Sequence, residues 1–193
     1  MKAKELYRAL ETELGPLLAT HGFKKRRQSR LAFQRVVDDK YHSVWFQCGK
    51  YGWDTYAGGE FYVSFTVSES PELGIMGPHD ERLNFFLTDE ELVWARNYRD
   101  EVVARIPKPP ESYFDTLEAG FGKSVPAESA ARLVETVRGY FEPEPIPYRR
   151  HQDFALRYWQ PSDITGWASL IATVLPRALV VMQSWSQTKK SGQ

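Results

Sequence analysis

Gly122-Lys123-Ser124 has the residue types that close a phosphate-binding P-loop, in which the lysine reaches a phosphate and the hydroxyl holds magnesium. The full pattern needs a glycine at 117, and that residue is Leu117, preceded by Asp115-Thr116 and followed by Glu118. Without the glycine-rich turn the backbone amides cannot wrap a phosphate, and the nearby carboxylates repel one. Asp38 and Lys40 have the spacing of the second half of a nuclease metal motif, but no Asp or Glu stands between Glu13 and Asp38 to complete a cation cage. His79-Asp80 matches only two residues of metal phosphohydrolase motifs. His21, His42, His79 and His151 are scattered, with no pair at helical ligand spacing, and read as surface or core-edge histidines. No serine sits in a Gly-x-Ser-x-Gly elbow. The single cysteine, Cys48, excludes an internal disulfide and a multi-cysteine zinc site; within an aromatic strand it reads as a small buried thiol. No catalytic residue, cofactor or metal ligand is therefore assigned. A hydrolase whose site is assembled only in three dimensions stays open as one alternative.

The residues that suit binding are of two kinds. Lys24, Lys25, Arg26, Arg27 and Arg30 form the densest positive cluster, near Phe33, Trp45, Phe46, Trp53 and Tyr56. Lysines on phosphates and rings stacked on bases would make this a nucleic-acid surface. The net charge of +0 hides an asymmetry that opposes it: residues 1–50 carry 11 Lys/Arg against 5 Asp/Glu, residues 51–147 carry 8 against 18, and residues 148–193 carry 6 against 2. Oppositely charged segments either face each other within one fold or steer partners of opposite sign.

The elements that must hold these residues can be read from periodicity. Leu6, Leu10, Leu14, Leu17 and Leu18 fall at helical spacing and predict a helix over 3–20, kinked or broken near Gly15-Pro16 and ended by Gly22. Strands follow at 31–37, 41–50 and 60–68, with Asp38-Asp39-Lys40 as the first turn. In the last strand Phe61, Val63, Phe65 and Val67 line one face, and Tyr62, Ser64 and Thr66 the other. Residues 69–87 read as a loop. Thr88-Asp89-Glu90-Glu91 opens a helix with an N-cap and acids on the positive end of its dipole, running to Arg105 before the proline-rich stretch 106–110. A further cap at Ser124 or Pro126 opens a helix to Phe141, and 142–147 is an extended linker. Ile164–Met182 is the one membrane candidate, but Pro176 and Arg177 interrupt it, and a central arginine costs about 2.5–3.5 kcal/mol on insertion. A buried core helix is the better reading. The start lacks the apolar run of a signal peptide, and a disulfide-free chain suits the cytoplasm. Disorder is expected only in the tail from Ser186 to Gln193.

These elements predict a single α+β domain over 1–193, an antiparallel sheet of three or more strands packed against the N-terminal helix and several C-terminal helices, with 76–193 mainly helical. The order of a helix, Gly22-Phe23-Lys24-Lys25, Phe33, Trp45-Phe46-Gln47 and Phe61-Tyr62-Val63-Ser64-Phe65 is similar to a bacterial family of unknown function. Members of that family begin with a helix and a Gly-Phe-Lys-Lys step and continue with a Phe-Gln strand. The likeness covers residues 1–75 and implies no activity of its own. Small cytosolic proteins of this kind resemble the immunity proteins that bacteria encode beside secreted toxins, which occupy the toxin's active site or lock its conformation. The first expectation is therefore a non-enzymatic protein-binding module that neutralises a toxin, with Asp89, Glu90 and Glu91 as charged contacts and Trp53 and Tyr56 as aromatic anchors. The alternative partner is nucleic acid, held by Lys24, Lys25, Arg26, Arg27 and Arg30.

Overall fold

A computed structural model describes residues 3–27, 30–49, 52–73, 79–139, 141 and 155–187. The first helix, α1 (Ala3–Thr20), buries Leu6, Leu10, Leu14 and Leu18 along one stripe and runs unbroken through Pro16. The break expected near Gly15-Pro16 does not occur; one missing backbone bond is outweighed by this leucine seam. Gly22, at φ +80, ends the helix: the Phe23 amide donates to Leu18 O and the Gly22 amide to Ala19 O. These are the two bonds of a Schellman cap, sealed by Phe23 against the core.

The chain then forms β1 (Lys24–Lys25), β2 (Leu31–Val37), β3 (Lys40–Cys48) and β4 (Gly59–Ser68) in antiparallel order. Asp38 and Asp39 both take positive φ, the twist that suits a two-residue hairpin. β5 (Asp80–Arg82) and β6 (Leu156–Tyr158) both lie on the free edge of β4, the first beside Ser64–Thr66 and the second beside Gly59–Phe61. The 69–87 stretch is thus not all loop: besides β5 it holds a 3-10 turn at Leu83–Phe86, which buries Leu83 and Phe86.

The helices that follow are α2 (Asp89–Arg105), α3 (Glu111–Phe121), α4 (Ala127–Gly139) and α5 (Pro161–Gln187). Helix α3 was not anticipated from the sequence. The linker at 142–147 and the tail beyond Gln187 lie outside the described residues. Ser186, expected in a disordered tail, is a buried residue of α5.

Register divides the sheet into two faces. Phe33, Val44, Phe46, Phe61, Val63, Phe65 and Val67 pair across strands on one face and meet α1 and α5. Helix α5 is long and apolar enough to cross a membrane, and half of its most apolar window is buried inside the fold. Ile164, Trp167, Ile171, Val174, Leu175 and Met182 lie in that core. Each fully buried aliphatic or aromatic side chain contributes about 1.5–3 kcal/mol, so this layer dominates stability. The other face carries Gln34, Ser43, Trp45, Tyr62, Ser64, Thr66 and Arg82.

Candidate functional site

The capping box at Thr88 fixes the start of α2: its hydroxyl accepts from the Glu91 amide at 3.2 Å, and Glu91 Oε2 accepts from the Thr88 amide at 2.8 Å. The same Oε2 accepts from Arg177 Nη2 at 2.5 Å, which ties α2 to α5. Glu91 is therefore committed to the fold, whereas Asp89 and Glu90 are exposed on the first turn. The Glu90 carboxyl is held below its usual range, first by a backbone amide and then by the Thr88 hydroxyl.

Trp53 and Tyr56 lie elsewhere. Trp53 Nε1 donates to Trp159 O at 3.2 Å, and Trp159 Nε1 returns a bond to Thr55 O at 3.2 Å. Tyr56 packs edge-on against Tyr113 of α3 at 5.1 Å. Together these contacts latch the 53–59 turn to β6 and α3. Gly58 of this turn abuts Ile106, at the far end of α2. Seventeen helical residues span about 25 Å, so the aromatic pair and the acids sit at opposite ends of one helix and do not form a single patch.

The residue that accompanies the acids is Trp94, which sequence reasoning passed over. Val93 is 59% and Trp94 41% exposed, one turn beyond Asp89 and Glu90 on α2. The Trp94 ring lies parallel to Tyr98 at 4.9 Å and meets the edge of Trp167 at 5.9 Å. Tyr98 crosses α5 at Gly166, where any Cβ would fall 2.2 Å from the phenol oxygen, and donates to Asp163 O at 3.1 Å. Burial raises the Tyr98 pKa, with Asp163 acting in the same sense. Asp163 is itself buried: its carboxylate accepts from the amides of Trp159 and Gln160 and from Arg105 Nη2 at 2.7 Å. An exposed indole thus stands on a rigid aromatic and hydrogen-bonded base, on a helical surface that carries Asp89, Glu90 and, beyond Asn97, Glu101, with Arg96 alongside reaching Asp100 at 4.0 Å. The signal in the sequence was the i, i+4 pair Trp94/Tyr98, whose meaning depends on Gly166 in another element.

The basic cluster is exposed throughout. Lys25 pairs with Glu11 of α1 at 2.5 Å. Lys24, Arg26, Arg27 and Arg30 form no ion pair among the described residues.

One pair has the look of a nucleophile and its base: His42 Nε2 lies 2.5 Å from Ser186 Oγ. His42 is fully buried, and its Nδ1 has no partner. Desolvation, followed by Arg35, takes its pKa down to about 4. Nothing orients its second nitrogen and substrate has no path to it, so the pair is a neutral core contact. His79 stacks on Trp185 at 5.4 Å, and His151 lies outside the described residues. Cys48 is half-buried on β3, its amide donating to Tyr7 Oη at 3.2 Å. Among the described residues no three His, Cys, Asp or Glu side chains converge to hold a metal. A shallow cleft lined by Tyr62, Arg82, Asn84 and Leu156 between β5 and β6 has room for about one water molecule. Comparison with protein-family models, curated proteins and solved structures finds no match to this chain.

Proposed function

We propose that this chain is a non-catalytic protein-binding module whose contact surface is the outer face of the first half of α2. The observation that carries this reading is Trp94, an exposed tryptophan held in place by Tyr98 and Trp167 beside Val93, Asp89 and Glu90. Tryptophans of this kind dominate interfaces, because a preorganised ring loses little entropy on docking. Acids around it select a basic partner and speed its encounter. A basic toxin neutralised in the cytoplasm by an immunity-type protein meets that description. The acids of the original expectation are kept, except that Glu91 serves the fold and Trp94 replaces Trp53 and Tyr56 as the anchor.

The test is affinity capture from native lysate with wild type, Trp94→Ala and Asp89→Lys/Glu90→Lys in parallel, each checked for native circular dichroism. A partner retained by wild type should bind Trp94→Ala more weakly by about 2 kcal/mol, roughly thirtyfold. The charge variant should slow association and remove its salt dependence. Equal retention by all three proteins would end this assignment.

A further inference from the structure

Trp94 presents a ring face to solvent, and that face has a definite chemical setting. Tyr98 covers one side of the indole, its ring parallel at 4.9 Å, and Trp167 stands at right angles to it at 5.9 Å. Tyr98 and Trp167 are themselves 4.9 Å apart, so both lie on the same side of the indole, and its 41% exposure belongs to the opposite face. Tyr98 is one turn C-terminal to Trp94, so the open face looks back to the preceding turn, where Glu90 holds the i−4 position. Glu90 is exposed, and a backbone amide and the Thr88 hydroxyl steady its carboxylate. Elsewhere this fold lays a guanidinium on its aromatic faces: Arg35 over Phe23 at 4.8 Å, Arg30 over Trp45 at 5.5 Å, Arg82 over Tyr62 at 5.1 Å and Arg138 over Phe114 at 3.8 Å. Among the described residues no cation lies over Trp94. The arginines nearest to it on α2 are drawn towards Asp100 instead, Arg99 at 3.4 Å and Arg96 at 4.0 Å.

We infer, with α2 as the contact surface proposed above, that Trp94 and Glu90 together receive an arginine side chain of the basic partner. The guanidinium plane stacks on the open indole face, and the N–H groups at its edge donate to the Glu90 carboxylate. An apolar side chain in this place would strip water from Glu90 without pairing it, which costs free energy. A lysine can pair with Glu90 but has no plane to lay on the ring. Arginine does both at once, and tryptophan is the ring that attracts a cation most strongly.

The experiment titrates the full chain with a short labelled oligoarginine peptide and with an oligolysine of equal length, read by fluorescence anisotropy and by the Trp94 indole N–H resonance. Wild type should bind oligoarginine about two- to fivefold more tightly, and oligoarginine should shift that resonance. Trp94→Leu should erase the preference and leave only charge-driven binding. Glu90→Gln, a change at a solvent-facing position, should weaken both peptides and flatten their salt dependence. Native circular dichroism of both variants sets unfolding aside as a cause. Equal affinity of wild type for the two peptides, an unmoved Trp94 resonance, or a preference that survives Trp94→Leu overturns the arginine site. An unaffected Glu90→Gln overturns the pairing. If a lysate partner still needs Trp94 under those outcomes, the α2 surface stands and only its arginine falls; if capture is indifferent to Trp94 as well, both fall.

Discussion

His42 is a residue whose position governs the conditions the fold tolerates. It sits on β3 facing α5, where burial first, then Arg35 and Lys40, oppose its protonation and Asp38 alone favours it. Its folded pKa of about 4 lies below the ordinary value of 6.5, so the native state holds a neutral ring. Above pH 6.5 neither state is protonated at this site, and its contribution to stability is fully present. As pH falls from 6.5 towards 4 the unfolded chain takes up a proton that the folded chain refuses. Stability drops across that window and levels off below it, by about 3 kcal/mol in all. Urea unfolding at pH 7 and pH 4.5 should show this loss in wild type, and His42→Gln, which keeps a bond to Ser186 but does not titrate, should lose less. An identical pH dependence in the two proteins would assign the acid sensitivity to carboxylates instead. Alternation with Val44 and Phe46 sets residue 42 on the core face, but nothing near it in the sequence shows its partner, Ser186, 144 residues away.

At the scale of elements, α2 is set by its first turn. Thr88→Ala removes the hydroxyl that accepts the Glu91 amide and should cost about 1 kcal/mol in chemical unfolding, with Thr88→Ser restoring most of it. A loss near zero would mean that Asp89 takes over as cap. This cap was legible in the sequence because it is local, as were the leucine stripe of α1, the Gly22 stop and the alternation in β4. What escaped was non-local. β5 reads Asp-Glu-Arg, with no apolar alternation, and is a strand only because β4 has a free edge. β6 joins that same edge from nearly a hundred residues further along the chain. Helix α3 buries only Phe114 and ends at Gly122, so its pattern is weak. The candidate site was legible in part: Asp89 and Glu90 stand exposed as read, but Trp53 turned inward to Trp159, and Trp94 gained meaning only from Trp167 and Gly166.

Across the whole molecule the two charge-bearing surfaces sit on different elements, basic on the β1 edge and acidic on α2, while one apolar layer joins the two ends of the chain. α1 and α5 pack on each other and on the same face of the sheet, so the first and last described helices close a single core. α5 contributes Trp167, Ile171, Val174, Leu175 and Met182 to it, all nearly inaccessible. The α3–α4 pair stands apart: it buries Phe114, Ala130 and Val134, and its cross-link is the solvent-facing pair of Arg138 and Glu111, a kind that water and salt screen. Stability should therefore be uneven. In native-state hydrogen exchange, amides of β3, β4, α1 and α5 should exchange only through global unfolding, with a steep dependence on denaturant. Amides of α3 and α4 should exchange faster by local opening, with little denaturant dependence, because that opening exposes little apolar surface. Equal protection of α3–α4 and β4 would show that this pair is held to the core by more than its side chains reveal. Faster exchange there, with β3 and α5 unaffected, would show that the pair can open while the sheet faces and α2 keep their geometry.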